Sequence, residues 1–126
     1  MAYKLVYNWL PSSKYALKSP FTMTPKYITL HNSWNDAPAK NEIAFMLRYD
    51  SLTGFHVAID DIEAIQAIPF TRMAYHAGDG NGSGNRASVG IEICYSKSGG
   101  DRYRKAEANA IEYTAKLLVS FSLPVS

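Results

Sequence analysis

The chain is predicted to adopt a mixed α/β fold, a central mixed β-sheet flanked by helices. Two patterns predict it. Apolar residues alternate with polar or small ones around Tyr27–His31, Phe55–Ile59 and Val89–Tyr95, which is the period of a strand. They recur three and four apart in Ala39, Ile43, Met46 and Leu47, and again in Ala106, Ala110, Tyr113 and Leu117, which is the period of a helix. The order is strand, helix, hairpin, strand, helix, and such an order builds a sheet with helices packed on it. At 126 residues the chain can bury one core, so 1–126 reads as a single domain.

The elements follow in chain order. Met1 to Lys26 is punctuated by Pro11, Pro20 and Pro25 and reads as an extended lead-in. A strand ends at His31, and Asn32 to Pro38 is a loop. Asp36 is the expected helix N-cap, with Pro38 in the first turn and the helix running to about Arg48. Phe55 to Ile59, the turn-like Asp60-Asp61 and the apolar pattern of Ile62 to Ile68 predict a β-hairpin. Gly78 to Asn85 is glycine-dense and predicts loop. A further strand covers Val89 to Tyr95, and Ser96 to Asp101 is loop. A long helix starts near Arg102 and is closed by Pro124. The sheet of such a fold is expected to carry helix cover on both faces.

Composition excludes some partners. The net charge of +2 is too small for the basic stripe of a nucleic-acid binder and is compatible with a carboxylate-bearing substrate. Tyrosine is plentiful, which suits an exposed binding cleft. One cysteine, Cys94, permits no intrachain disulfide. The first ten residues have no continuous apolar core, so no signal peptide is expected, and no apolar run is long enough to insert in a membrane.

Several residues could carry chemistry. His31 ends a strand, where a neutral imidazole can bind zinc, or serve as a hydrogen-bonded structural histidine. Glu92 shares its strand face with the small Gly90 and Cys94. A carboxylate there is either functional, with burial raising its pKa, or paired with Lys97 or Arg86. His76 precedes the glycine-rich loop and is a candidate substrate contact or a surface histidine. His56 alternates with Phe55 and Val57 and reads equally as a core histidine. Asp79-Gly80-Asn81-Gly82-Ser83-Gly84 starts like a calcium loop, but its twelfth position is Gly90 instead of the bidentate Glu. Cys94 in a strand reads as a small buried hydrophobe.

Four stretches, taken together, carry a resemblance. They are Tyr27-Ile28-Thr29-Leu30-His31-Asn32-Ser33-Trp34, Gly54-Phe55-His56-Val57-Ala58-Ile59-Asp60-Asp61, Ala74-Tyr75-His76-Ala77-Gly78-Asp79-Gly80 and Gly84 through Cys94. From about Pro25 onward the chain resembles the type 2 N-acetylmuramoyl-L-alanine amidases, relatives of the peptidoglycan recognition proteins. The branch it resembles most is the phage and prophage endolysins of Gram-positive bacteria.

The resemblance implies that fold and a zinc-dependent hydrolysis of the amide between N-acetylmuramic acid and L-alanine in peptidoglycan. It implies His31 as a zinc ligand, Glu92 as general base, and His76, Trp34 and Asn85 at the substrate. Phe55 stands where many members have a tyrosine, which suits Glu92 carrying the base role. The family's second zinc histidine and its cysteine are expected downstream of Ser126, so the C-terminal part of the fold reads as missing. Two further readings follow: a non-catalytic peptidoglycan-binding module or inactive fragment, and an improvised zinc site built from His31, His56 and His76. The expected partner is muramyl peptide of the wall, met by a monomer that is made in the cytoplasm and acts after release.

Overall fold

The computed structural model describes residues 3–124. Met1 and Ala2 of the expected lead-in, and Val125 and Ser126 at the other end, lie outside the described residues. The strands are β1 (Lys4–Tyr7), β2 (Tyr27–Asn32), β3 (Val57–Ile59), β4 (Glu63–Gln66) and β5 (Ser88–Ile93). The helices are α1 (Tyr15–Lys18), α2 (Ala39–Arg48), α3 (Ser83–Arg86) and α4 (Asp101–Ser120). The five strands form one sheet in the order β1-β4-β3-β5-β2. Only β3 and β4 run antiparallel, as the predicted hairpin; the other pairs are parallel. The sheet is therefore mixed, as the alternating strands and helices required.

Strand alternation divides the core into two layers. Val57, Ile59, Val89, Ile91 and Ile93 face α4 and pack on Ala106, Ala110 and Tyr113. On the other face Ala58 and Ile65 pack on Ala39, Ile43 and Met46 of α2. Helix α2 contacts β3 and β4 and leaves that face open over β5 and β2. The open half is where Thr29, His31, Gly90 and Glu92 point, because Ile28 packs in the α4 layer and Val89, Ile91 and Ile93 occupy it.

Three expectations are corrected. The lead-in is not simply extended: Lys4–Tyr7 adds a parallel edge strand to β4, and a helical turn follows Pro11. Lys18 anchors that turn, with its buried ammonium donating to the carbonyls of Ser51 and Thr53 at 2.8 Å each. The glycine-dense loop contains a short helix, α3, because the Asp79 carboxylate accepts the amides of Gly84 (2.8 Å) and Asn85 (3.0 Å) and caps its first turn. Those bonds also occupy both Asp79 oxygens. Asp36 does not cap α2, whose N-cap is Pro38. The cap arrives from the hairpin turn: Asp60 Oδ2 accepts the Ala39 amide at 2.8 Å, while Oδ1 accepts those of Ile62 and Glu63. Asp36 instead accepts from the backbone and hydroxyl of Ser98, tying the loop after β2 to the loop after β5.

Among the described residues, no helix is long and apolar enough to cross a membrane.

Candidate active site

The open face brings His31 and Glu92 side by side. They are direct partners in the parallel β2–β5 register, and Ala58 of β3 flanks Glu92 on its other side. Neither expected cation pairs with Glu92. Arg86 lies over the Phe21 ring at 4.3 Å, Lys97 is exposed, and the ion pairs among the described residues involve neither. Glu92 Oε2 is buried with no hydrogen-bond partner. Burial, reinforced by the Glu42 carboxylate on α2, pushes its pKa up to about 7. A carboxyl with that value exchanges its proton near neutrality, as a general base or acid must.

His31 is half-buried and its Nε2 lies 3.0 Å from Nδ1 of His76. The two rings meet edge to face, with centroids 5.2 Å apart. The other ring nitrogen of His76 lies 3.1 Å from the Ser88 carbonyl. Burial holds both imidazoles below the ordinary histidine range, so both are neutral near pH 7.

His56 does not join them. It is fully buried, its Nε2 donates to the Arg72 carbonyl at 2.7 Å, and its Nδ1 accepts the Gly90 amide at 3.0 Å. Both nitrogens are committed, so the three-histidine zinc site is not formed. His56 is a satisfied core histidine with a pKa pushed down by burial to about 4. Among the described residues, no three His, Cys, Asp or Glu side chains converge as metal ligands. The residues present fit zinc at one position: His31 belongs to the open face, and its Nδ1 is left without a hydrogen bond while its Nε2 meets His76.

Asn85 corrects the expectation of a substrate contact. It is 1 % exposed. Its Oδ1 accepts the amides of His76 (2.9 Å) and Ala77 (2.8 Å), and its Nδ2 donates to the Gly80 carbonyl. It braces the loop that carries His76. Trp34 is 74 % exposed at the loop following β2, with φ of 56°, and its amide donates to Ser96 Oγ at 2.7 Å. Phe55 is buried in the α2 layer, and so is Cys94, whose thiol pKa burial raises.

Sequence reasoning missed three contributors. Gly90 lies directly beneath the His76 ring, Ser88 supplies the carbonyl behind it, and the Glu42 carboxylate on α2 adds negative charge near Glu92. Only the small size of Gly90 beside Glu92 is visible in the strand pattern. The other two depend on pairings between distant segments. Glu42 is held by Asn35 Nδ2 at 2.8 Å and, with Phe45 and Arg48, lines a hollow of about 350 Å³ along α2.

The half-covered face of a mixed α/β sheet thus carries an unpaired carboxyl beside an imidazole. The chain belongs to the N-acetylmuramoyl-L-alanine amidase family, whose profile matches residues 21–126. It is 56% identical over 118 residues to the N-acetylmuramoyl-L-alanine amidase CwlA of a Bacillus species, covering 93% of this chain and 47% of that protein. It is 56% identical over 112 residues to XlyB of Bacillus subtilis, covering 88% of this chain and 35% of that one. The chain thus spans less than half the length of these relatives. The structure of PlyL superposes with a TM-score of 0.94 at 52% identity, over 96% of this chain and 76% of PlyL. The PlyG catalytic domain superposes at 0.93 and 52%, over 96% and 73%.

Proposed function

We propose that the protein hydrolyses the amide joining N-acetylmuramic acid to L-alanine in peptidoglycan, with Glu92 as the proton carrier and His31 as a zinc ligand. The observation that carries this is the buried, unpartnered Oε2 of Glu92 beside His31 on the open face. Leaving a buried carboxyl oxygen unsatisfied costs about 1–3 kcal/mol, and a catalytic role is one of the explanations such a group calls for. The names of the relatives support the substrate.

Zinc, when bound, supplies Lewis-acid activation of water and of the amide carbonyl. His31 would hold it through Nδ1, with the remaining donors supplied from outside the described residues. Glu92 takes a proton from the attacking water and delivers one to the departing L-alanine nitrogen. Its pKa of about 7 suits both halves of that transfer. The hollow of about 350 Å³ along α2, rimmed by Asn35, Glu42 and Arg48, would take part of the muramyl peptide, with Glu42 linking it to Glu92. Trp34 supplies an exposed ring for it at the loop after β2. The same reading has a monomer working on the wall after release from the cytoplasm.

The test uses the full-length product of the gene encoding these residues, with purified Gram-positive walls and zinc. New L-alanine amino termini are expected. Glu92→Gln should abolish them while keeping bound zinc, and His31→Ala should lose zinc as well. Sedimentation with walls but no new L-alanine termini in the unaltered protein would identify a recognition module and sink the enzyme reading.

A further inference from the structure

We propose that His76 is a positioning residue that fixes the tautomer and plane of His31, so that His31 presents an unprotonated Nδ1 to the open face. The proposal rests on the reading of His31 as a metal ligand for its purpose, but its geometry stands without a metal.

The bonding leaves little freedom. The Ser88 carbonyl can only accept, so His76 Nε2, 3.1 Å away, must carry the hydrogen. In a neutral ring His76 Nδ1 is then bare and can only accept. Its partner at 3.0 Å, His31 Nε2, must therefore donate. The remaining nitrogen of His31, Nδ1, is left with its lone pair. The protons run from His31 to His76 to the Ser88 carbonyl in one direction. Histidines that bind metals usually donate their second N–H in this manner, and such partners set tautomer and ring orientation.

His76 is itself held at its backbone and beneath its ring, which a surface histidine touching substrate would not need. Its backbone amide is fixed by Asn85 Oδ1 at 2.9 Å. Asn85 is fixed in turn by Asp79 at 3.0 Å. Beneath the ring lies Gly90, where a Cβ would come within 2.5 Å of His76 Cγ and Cδ2 and 2.8 Å of Nδ1. The bare glycine leaves room for the imidazole against β5, with its Nδ1 3.0 Å from His31 Nε2. With both nitrogens engaged by protein groups, His76 acts on the reaction through His31.

The test is nuclear magnetic resonance of the metal-free, ¹⁵N-labelled chain at neutral pH, reading long-range couplings of the imidazole nitrogens. His31 and His76 should both show a pyrrole-type Nε2 and a pyridine-type Nδ1, widely separated. In His76→Ala the two His31 nitrogens should collapse toward a common average, as the tautomers mix. His76→Gln, whose side-chain oxygen can accept from His31, should restore part of the separation. A His31 that carries its proton on Nδ1 in the unaltered chain overturns the proposal. So does an undisturbed Nε2–H form in a folded His76→Ala chain, judged by its backbone amide spectrum. Should His76→Ala not fold, the unaltered chain and His76→Gln decide alone, and fully averaged His31 nitrogens in His76→Gln overturn it. No substrate or zinc enters the measurement, so a failure of the amidase reading leaves this result intact and would show in the wall assay only.

Discussion

The imidazole of His76 lies on the bare Cα of Gly90, so close that a Cβ at position 90 would sit 2.5 Å from two of its ring carbons. Gly90→Ala should therefore push the ring off β5 and break its contact with His31. The expected cost is about 1–3 kcal/mol, the range for forcing a methyl into a packed site. Gly54→Ala is the control: the nearest atoms there are 3.7 Å away, an ordinary contact. Urea unfolding of both variants checks the contrast. Equal stabilities would mean that the ring has room to move.

Glu92→Gln should be more stable than the unaltered chain above neutral pH. Burial raises the Glu92 pKa from an ordinary 4.5 to about 7, so the folded state holds its proton longer than the unfolded chain. Stability from that group is full in acid and is lost as pH rises through 7. Glutamine never ionises and escapes the loss. The gain at alkaline pH should be on the order of 3 kcal/mol, with hydrolysis abolished. A variant that is less stable than the parent there would mean that Glu92 has a cationic partner in solution.

His56 titrates with the opposite sign in the same window. Its folded pKa of about 4 lies below the ordinary 6.5, so its stability is present above 6.5 and lost as pH falls toward 4. Between 4.5 and 6.5 the two groups nearly cancel in the unaltered chain. Glu92→Gln should uncover the histidine slope, about 1.4 kcal/mol per pH unit, because one proton is then taken up on unfolding. Burial of His31 and His76 adds in the same direction. Urea midpoints measured across that window check it, and a flat profile in the variant would contradict the burial of His56.

Much of the fold and of the site is legible in the amino-acid sequence. Strand alternation places His31 at a strand end and Glu92 on a face with Gly90, and those positions become neighbours once β2 and β5 pair. Helical spacing locates α2 and the start of α4 to within a residue or two, while α4 ends at Ser120, ahead of the Pro124 expected to close it. The features that escape it are set by distant partners. Asp36 has the chemistry of an N-cap, but Asp60, twenty-one residues past Ala39, reaches the helix amide first. Lys4–Tyr7 has the weak pattern of an exposed edge, and only the register with Glu63–Gln66 makes it a strand. Asn85 sits in a cleft-bordering loop by sequence, yet its bonds turn it inward. Polar side chains near a site look alike in sequence, and their hydrogen-bond partners decide which of them reach solvent.

Asp60→Ala tests the longest-range of those partnerships. One buried carboxylate satisfies the amides of Ala39, Ile62 and Glu63, each at 2.8 Å, and so joins α2 to the β3–β4 turn. Removing it leaves three donors without a partner, one at a helix N-terminus. A loss of about 2–4 kcal/mol is expected, more than a single cap is worth. Asp61→Ala, at the neighbouring turn position, should change stability by under about 0.5 kcal/mol. Chemical denaturation of the pair checks it, and similar losses would deny Asp60 its bridging role.

Trp34 offers a separation of stability from binding. A bulky residue at φ of 56° is strained, and a left-handed backbone costs a residue with a Cβ roughly 1–2 kcal/mol. The conformation is held by the Ser96 hydroxyl and by the Asp36–Ser98 tie between the same two loops. Strain of this kind is found where a site needs a side chain presented in a particular direction. The indole is 74 % exposed, so the fold gains little from it. Trp34→Gly should relieve the strain and raise stability by about 1 kcal/mol, since glycine adopts this backbone freely. The same change removes the exposed ring, and affinity for a soluble muramyl peptide should fall about tenfold, or roughly 1.4 kcal/mol. Trp34→Asn should recover most of the stability gain but none of the affinity, because asparagine tolerates the backbone and lacks the ring. Thermal unfolding and titration calorimetry on the three proteins read the two effects independently. Unchanged affinity in Trp34→Gly would leave the strained backbone at position 34 without a role in binding.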